Sequence, residues 1–100
     1  MKVEIEKKDS ELTAKIEGRL DTTTAPQLES ELADNLKEDT TKLVLDMEEL
    51  EYVSSAGLRV ILSAHKKMAA KGGELEVCNV KDIIMEVFEI TGFADILTIK

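Results

Sequence analysis

Apolar and polar positions alternate over residues 2–8 (KVEIEKK), with Val3 and Ile5 on one side and charges on the other. They alternate again over 11–17 (ELTAKIE), with Leu12, Ala14 and Ile16 in phase. A period of two predicts strands with one wet face, and the Asp9–Ser10 pair between them predicts a hairpin turn. Gly18 follows, and the period changes. Leu28, Leu32 and Leu36 recur at i, i+4 and i+8, with Ala25 and Ala33 in the same stripe. That spacing predicts a helix over 25–37. Thr24 can cap it, Pro26 fits its first turn, and Glu29 and Glu31 suit its positive end.

Residues 42–47 (KLVLDM) form a short apolar run between polar segments, the mark of a strand buried on both faces. EELEYV then reads as an acidic connection ending on Tyr52 and Val53. A helix is expected over 56–71, stopped by Gly72–Gly73. Residues 74–80 (ELEVCNV) read as a second buried strand. A third helix over 80–91, with Asn79 as its cap, ends at Gly92, and DILTIK closes the chain as a final strand. The order β-β-α-β-α-β-α-β demands crossovers, hence an α/β fold with a partly parallel sheet. No repeat, low-complexity tract or linker interrupts it.

Length bounds the rest. One hundred residues make a single domain spanning 1–100. With only Tyr52, Phe88 and Phe93 aromatic, the core must be built of Leu, Ile, Val, Ala and Met. A formal net charge of −8 argues against nucleic acid and against an anionic membrane, since both need a basic face. It leaves open a protein partner with a basic patch. The lone Cys78 excludes an internal disulfide and is expected in the core. The N-terminus lacks the apolar core of a secretory signal, and no apolar run reaches the roughly 20 residues of a membrane span, so a cytoplasmic protein is expected.

The candidate chemistry lies in YVSSAGLRV, residues 52–60. Ser55 stands at or beside the start of the 56–71 helix, where its hydroxyl could cap a free N–H. The same position could carry a phosphate, because a helix start offers unpaired N–H groups and partial positive charge. Gly57 would leave room for an approaching kinase. On a helical wheel Val60, Ile61, Ala64 and Met68 face the core, whereas Leu58 and Leu62 lie at the edge; so wide an apolar arc fits either a helix set deep against the sheet or, with Arg59 alongside, a docking surface. A hydrolase is not expected. The Gly-x-Ser-x-Gly elbow is absent, and His65, the only histidine, lies about 15 Å along the same helix. His65 reads as a helix-surface residue. Glu48, Glu49 and Glu51 match no calcium loop. Asp21, before Thr22, Thr23 and Thr24, reads as a second cap or part of a polar cluster near Ser55. No cofactor is implied, and nothing points to an enclosed pocket for a lipid.

Four segments together resemble STAS domains of the anti-sigma factor antagonist type. They are GRLDTTTAPQLE (18–29), LVLDMEELEYVSSAGLRVIL (43–62), KGGELEVCNV (71–80) and VFEITGFADIL (87–97). The resemblance implies a mixed sheet with helices packed mainly on one face, and a non-enzymatic regulator. It implies a partner that is both a serine kinase and an anti-sigma factor. The unphosphorylated regulator binds that kinase and frees the sigma factor. ATP-dependent phosphorylation releases it, and a PP2C-type phosphatase restores it. The implied acceptor is Ser55. The best-known members carry Asp where this chain has Ser54, which makes Ser54 the alternative acceptor. The implied partner surface comprises Asp21, Thr22, Gly57, Leu58, Arg59 and Leu62. A monomer is the simplest expectation. The other reading is a STAS scaffold in a signalling or transport complex with no sigma factor downstream.

Overall fold

A computed structural model describes residues 1–100. Strand β1 (Lys2–Lys8) and strand β2 (Glu11–Leu20) form the hairpin, turning at Asp9, whose φ is +55°. Helix α1 (Ala25–Asn35), strands β3 (Lys42–Asp46) and β4 (Leu50–Val53), helix α2 (Ser55–Ala70), strand β5 (Glu74–Cys78), helix α3 (Asp82–Thr91), a 3-10 turn at Phe93–Asp95 and strand β6 (Thr98–Ile99) follow. The sheet runs β1-β2-β3-β5-β6, with β4 also paired to β2. Only the β1–β2 pair is antiparallel; every other pairing is parallel and bridged by a crossover.

The register sorts the side chains. Leu12, Leu43 and Leu75 form one row across β2, β3 and β5, and Ala14, Leu45 and Val77 the next. All six are buried in one core cluster with Leu28 and Leu32 of α1, Ile61, Ala64 and Met68 of α2, and Ile84 and Phe88 of α3. The rows between them face the other way: Glu11, Lys42 and Glu74, then Thr13, Val44 and Glu76, then Lys15, Asp46 and Cys78. That face is solvated. The Lys42 ammonium lies within 4.0 Å of Glu11, Glu74 and Glu76, so the charges that make it wet also offset one another.

Several boundaries differ from the sequence reading, each for a physical reason. β2 runs on to Leu20, past Gly18, whose φ of +92° breaks the alternation and accompanies a register shift. Its last residues pair with β4, so the supposed acidic connection is a strand with Leu50 and Val53 buried and Glu51 and Tyr52 exposed. β3 is covered opposite the core only at Val44; Lys42 and Asp46 on that face are half-buried, so it is not the strand buried on both faces that its apolar run predicted. β5 instead alternates, stops at Cys78, and is not doubly buried. Asn79 caps nothing: it adopts φ +56° and donates to Asp46 Oδ1 at 3.1 Å, so α3 starts later, at Asp82. α1 stops at Asn35, leaving Ala33 exposed, and the final strand shrinks to two residues.

Phe88 is fully buried and is the only aromatic residue in the core. Phe88→Ala is expected to cost about 3–5 kcal/mol in a urea unfolding experiment, because it combines lost burial with a large cavity.

Candidate functional site

Strands β2 and β4 end side by side, and the chain segments leaving them build the site. Leu20 pairs with Val53, and the Ser54 N–H donates to the Leu20 carbonyl at 2.9 Å. This bond fixes where α2 begins. Ser54 is the N-cap: its backbone is extended, its carbonyl accepts from Leu58 N–H at 2.9 Å, and its hydroxyl accepts from Gly57 N–H at 3.4 Å. Ser55 is therefore the first helical residue. It is exposed, and its hydroxyl has no hydrogen-bond partner within the protein.

Asp21 is held on the β2 side of the same end. Its Oδ1 accepts from the Thr23 N–H at 3.0 Å and the Thr24 N–H at 3.1 Å. Its carbonyl accepts from Ala25 N–H at 2.8 Å, which starts α1. Thr24 occupies the N-cap of α1 but spends its hydroxyl on the Arg19 carbonyl, so Asp21 organises this turn instead. The Thr24 N–H, with help from Thr23 and against some desolvation, holds the Asp21 carboxyl below its ordinary value of 3.8.

Arg19 and Tyr52 complete the wall and were missed in the sequence, because their adjacency depends on the unrecognised β2–β4 pairing. They face each other in register, the guanidinium lies 4.2 Å from the ring centroid, and Arg19 Nε is 3.8 Å from Asp21 Oδ2. Thr22 is exposed and borders a groove of about 340 Å³ between the starts of α1 and α2, shared with Pro26, Glu29, Ala56, Arg59 and Ser63. Arg59 is exposed and Leu62 half-buried.

Two of the expected surface residues are elsewhere. Leu58 is only 6% exposed and belongs to the core. Gly57 is buried too, and faces inward: a Cβ there would sit 2.6 Å from Leu20 Cγ and 3.0 Å from the Leu20 carbonyl. Gly57 is thus required for α2 to lie against the end of β2, not to admit a partner.

Cys78 is half-buried on the solvated side of β5 beside Asp46, not in the core. Burial, then the Asp46, Glu76 and Glu48 carboxylates, push its thiol above the ordinary value, so it stays protonated. His65 is half-buried and its Nδ1 has no partner. It sits ten residues from Ser55 on one helix, about 15 Å away, too far to activate it. No group of three or more His, Cys, Asp or Glu side chains is placed to hold a metal ion. No helix is long and apolar enough to cross a membrane.

The profile of the STAS domain family matches residues 2–100. The chain is a STAS domain. It is 41% identical over 99 residues to BtrV of Bordetella bronchiseptica, named as a candidate anti-sigma factor antagonist, covering 99% of this chain and 85% of that one. It is 31% identical to the anti-sigma-B factor antagonist of Listeria monocytogenes, covering 98% and 87%. Among solved structures, the phosphorylated form of the Bacillus cell fate determinant SpoIIAA superposes with a TM-score of 0.78 at 17% identity, over 99% of this STAS domain and 91% of SpoIIAA. An anti-sigma factor antagonist from Mycobacterium paratuberculosis gives 0.86 at 21% identity, over 98% and 83%. At those identities the likeness is one of fold, and it matches the expected mixed sheet.

The two serines are expected to separate in stability. Ser54→Ala removes the cap and should lower unfolding free energy by about 0.5–1 kcal/mol, whereas Ser55→Ala should stay within about 0.5 kcal/mol of the parent, both read by urea denaturation. Asp21 adds a pH signature. Because its folded-state pKa is depressed, its contribution is present above the unfolded value near 3.8 and is lost as pH falls through the folded value. Asp21→Asn should therefore flatten the acid limb of a stability–pH profile below about pH 4 and leave its shape near pH 7 unchanged.

Proposed function

We propose that this STAS domain is an anti-sigma factor antagonist switched by phosphorylation of Ser55. Unphosphorylated, it binds a serine kinase that is also an anti-sigma factor, and so frees the sigma factor. It catalyses nothing itself. The kinase transfers the γ-phosphoryl group of ATP: the Ser55 Oγ–P bond forms, the bond to the β-phosphate bridge breaks, ADP leaves, and the hydroxyl proton passes to a base of the kinase. A PP2C-type phosphatase returns the serine, and the domain acts as a cytoplasmic monomer.

One observation carries this reading to Ser55 and away from Ser54. The Ser54 hydroxyl is half-buried and caps α2, while the Ser55 hydroxyl is exposed and unpartnered one residue later. A phosphate on Ser55 adds about −1.5 to −2 charges at the positive end of α2, so the fold tolerates it. An interface does not. One carboxylate of a partner about 4 Å away at an effective dielectric near 20 contributes about 4 kcal/mol of repulsion. Release by a hundredfold needs only about 2.7 kcal/mol. The partner surface that remains after Gly57 and Leu58 are placed inside is Asp21, Thr22, Arg59 and Leu62 around the α1–α2 groove.

Wild type, Ser55→Ala and Ser55→Asp chains immobilised against source-cell lysate test this. The Ala chain should retain an ATP-binding kinase that also binds a sigma factor, and the Asp chain should hold it at least about a hundredfold more weakly. Incubated with that kinase and ATP, wild type and Ser54→Ala should take up phosphate and Ser55→Ala should not. Equal retention by the Ala and Asp chains, or a retained partner unconnected to any sigma factor, would make this a STAS scaffold of another complex.

A further inference from the structure

The two arginines of the chain are in opposite situations. Arg19 is engaged by Tyr52 and Asp21. Arg59 is exposed and has no carboxylate within 4.0 Å; the lysines and arginine that do are Lys2, Lys7, Arg19, Lys42 and Lys100. It stands four residues after Ser55 on the same helix. That spacing makes them neighbours on the helix surface, with Cβ atoms about 5–6 Å apart, and an anion preceding a cation is the favourable order.

We propose that Arg59 is the receiver of the switch: once Ser55 carries a phosphoryl group, the Arg59 guanidinium closes on it in cis and is withdrawn from the partner. This rests on Ser55 as the acceptor. α2 has no acidic residue from Ser55 to Lys71, so nothing on its own helix competes for Arg59. Across the groove Glu29 borders the same depression without forming an ion pair, and a dianion outbids a single carboxylate. On the β2 side Asp21 is turned to Thr23 and Thr24 through Oδ1 and to Arg19 through Oδ2, and on β4 Glu51 precedes the serines; neither forms an ion pair with Arg59. Lys66, the next cation on α2, is eleven residues from Ser55, about 16 Å along the axis and out of reach. A guanidinium fork can hold two phosphate oxygens at once, which an ammonium cannot. Phosphorylation then acts twice, by adding an anion and by removing the free cation that an acidic partner surface would have met.

The test needs no kinase and no partner. Phosphoserine is placed at position 55 during translation, and the phosphate is titrated by 31P NMR in the wild-type, Arg59→Gln, Arg59→Lys and Lys66→Gln backgrounds. The phosphate's second ionisation should fall about half a unit lower in wild type than in Arg59→Gln, because the cation favours the dianion. Arg59→Lys should restore part of the difference, Lys66→Gln should match wild type, and 1 M salt should erase most of the effect. Superimposable melting curves confirm that the variants fold. Coincident titrations of wild type and Arg59→Gln would overturn the proposal while leaving Ser55 as acceptor intact, since that is scored by phosphate uptake from the kinase.

Discussion

The arrangement depends on how β2 spends its two edges. β1 takes one edge along Glu11–Glu17. The other edge is shared: β3 pairs with Glu11–Lys15, and β4 with Gly18–Leu20. Only residues 47–49 separate β3 from β4, too few to cross the sheet, so both lie on the same side of β2. The register shift beside Gly18 makes the second pairing possible. From it follow the Leu20–Ser54 hydrogen bond, the seat of Gly57 against Leu20 and the position of Asp21 beside the serines. The site is thus set by backbone pairing on a rigid element, from which Thr22, Tyr52, Ser55 and Arg59 reach solvent.

The sheet's two faces divide the labour. One is closed by helices over rows of Leu, Ala and Val; the other is covered by charges that pair across strands. A net charge of −8 therefore describes the molecule poorly as a binding surface. The acids lie on the strands, α1, α3 and the loops, whereas α2 presents Arg59, Lys66 and Lys67 with no acid among them. Because screening confines surface electrostatics to about 8–10 Å at moderate salt, a partner on α2 meets that local positive stripe and not the distant negative total.

Period alone was enough to read the hairpin and the three helices, because each buries a regular stripe, and an apolar run was enough to place β3, though not to show that its outer face is covered only at Val44. β4 was hidden for a reason that sequence cannot express. Four residues with the pattern Leu-Glu-Tyr-Val are a strand only if another strand offers an edge, and that edge lay beyond Gly18, where the alternation of β2 stops. Missing β4 also hid the Arg19–Tyr52 contact. Gly57 and Leu58 were assigned to the partner surface by the resemblance, and the wheel, which shows direction but not depth, left Leu58 open; at the start of α2 the helix sinks against Leu20, and both residues turn inward. The roles of Ser54 and Ser55 hung on one residue of helix boundary, which only the Leu20–Ser54 bond fixes.

That one-residue distinction has an electrostatic consequence. A helix start can be capped by Asp or by Ser with similar benefit. A capping Asp would set a permanent negative charge beside Ser55. With Ser54 as cap, the fixed charges around this end are Arg19, Asp21, Glu29 and Arg59, a local sum of zero. On the proposed reading, a phosphate of about −2 on Ser55 makes this neutral end negative. With Asp in place of Ser54 the end would already be negative before any modification. A neutral cap followed directly by a free hydroxyl, with an unpaired arginine one turn on, therefore leaves the charge of this end to be set by Ser55 alone on the proposed reading.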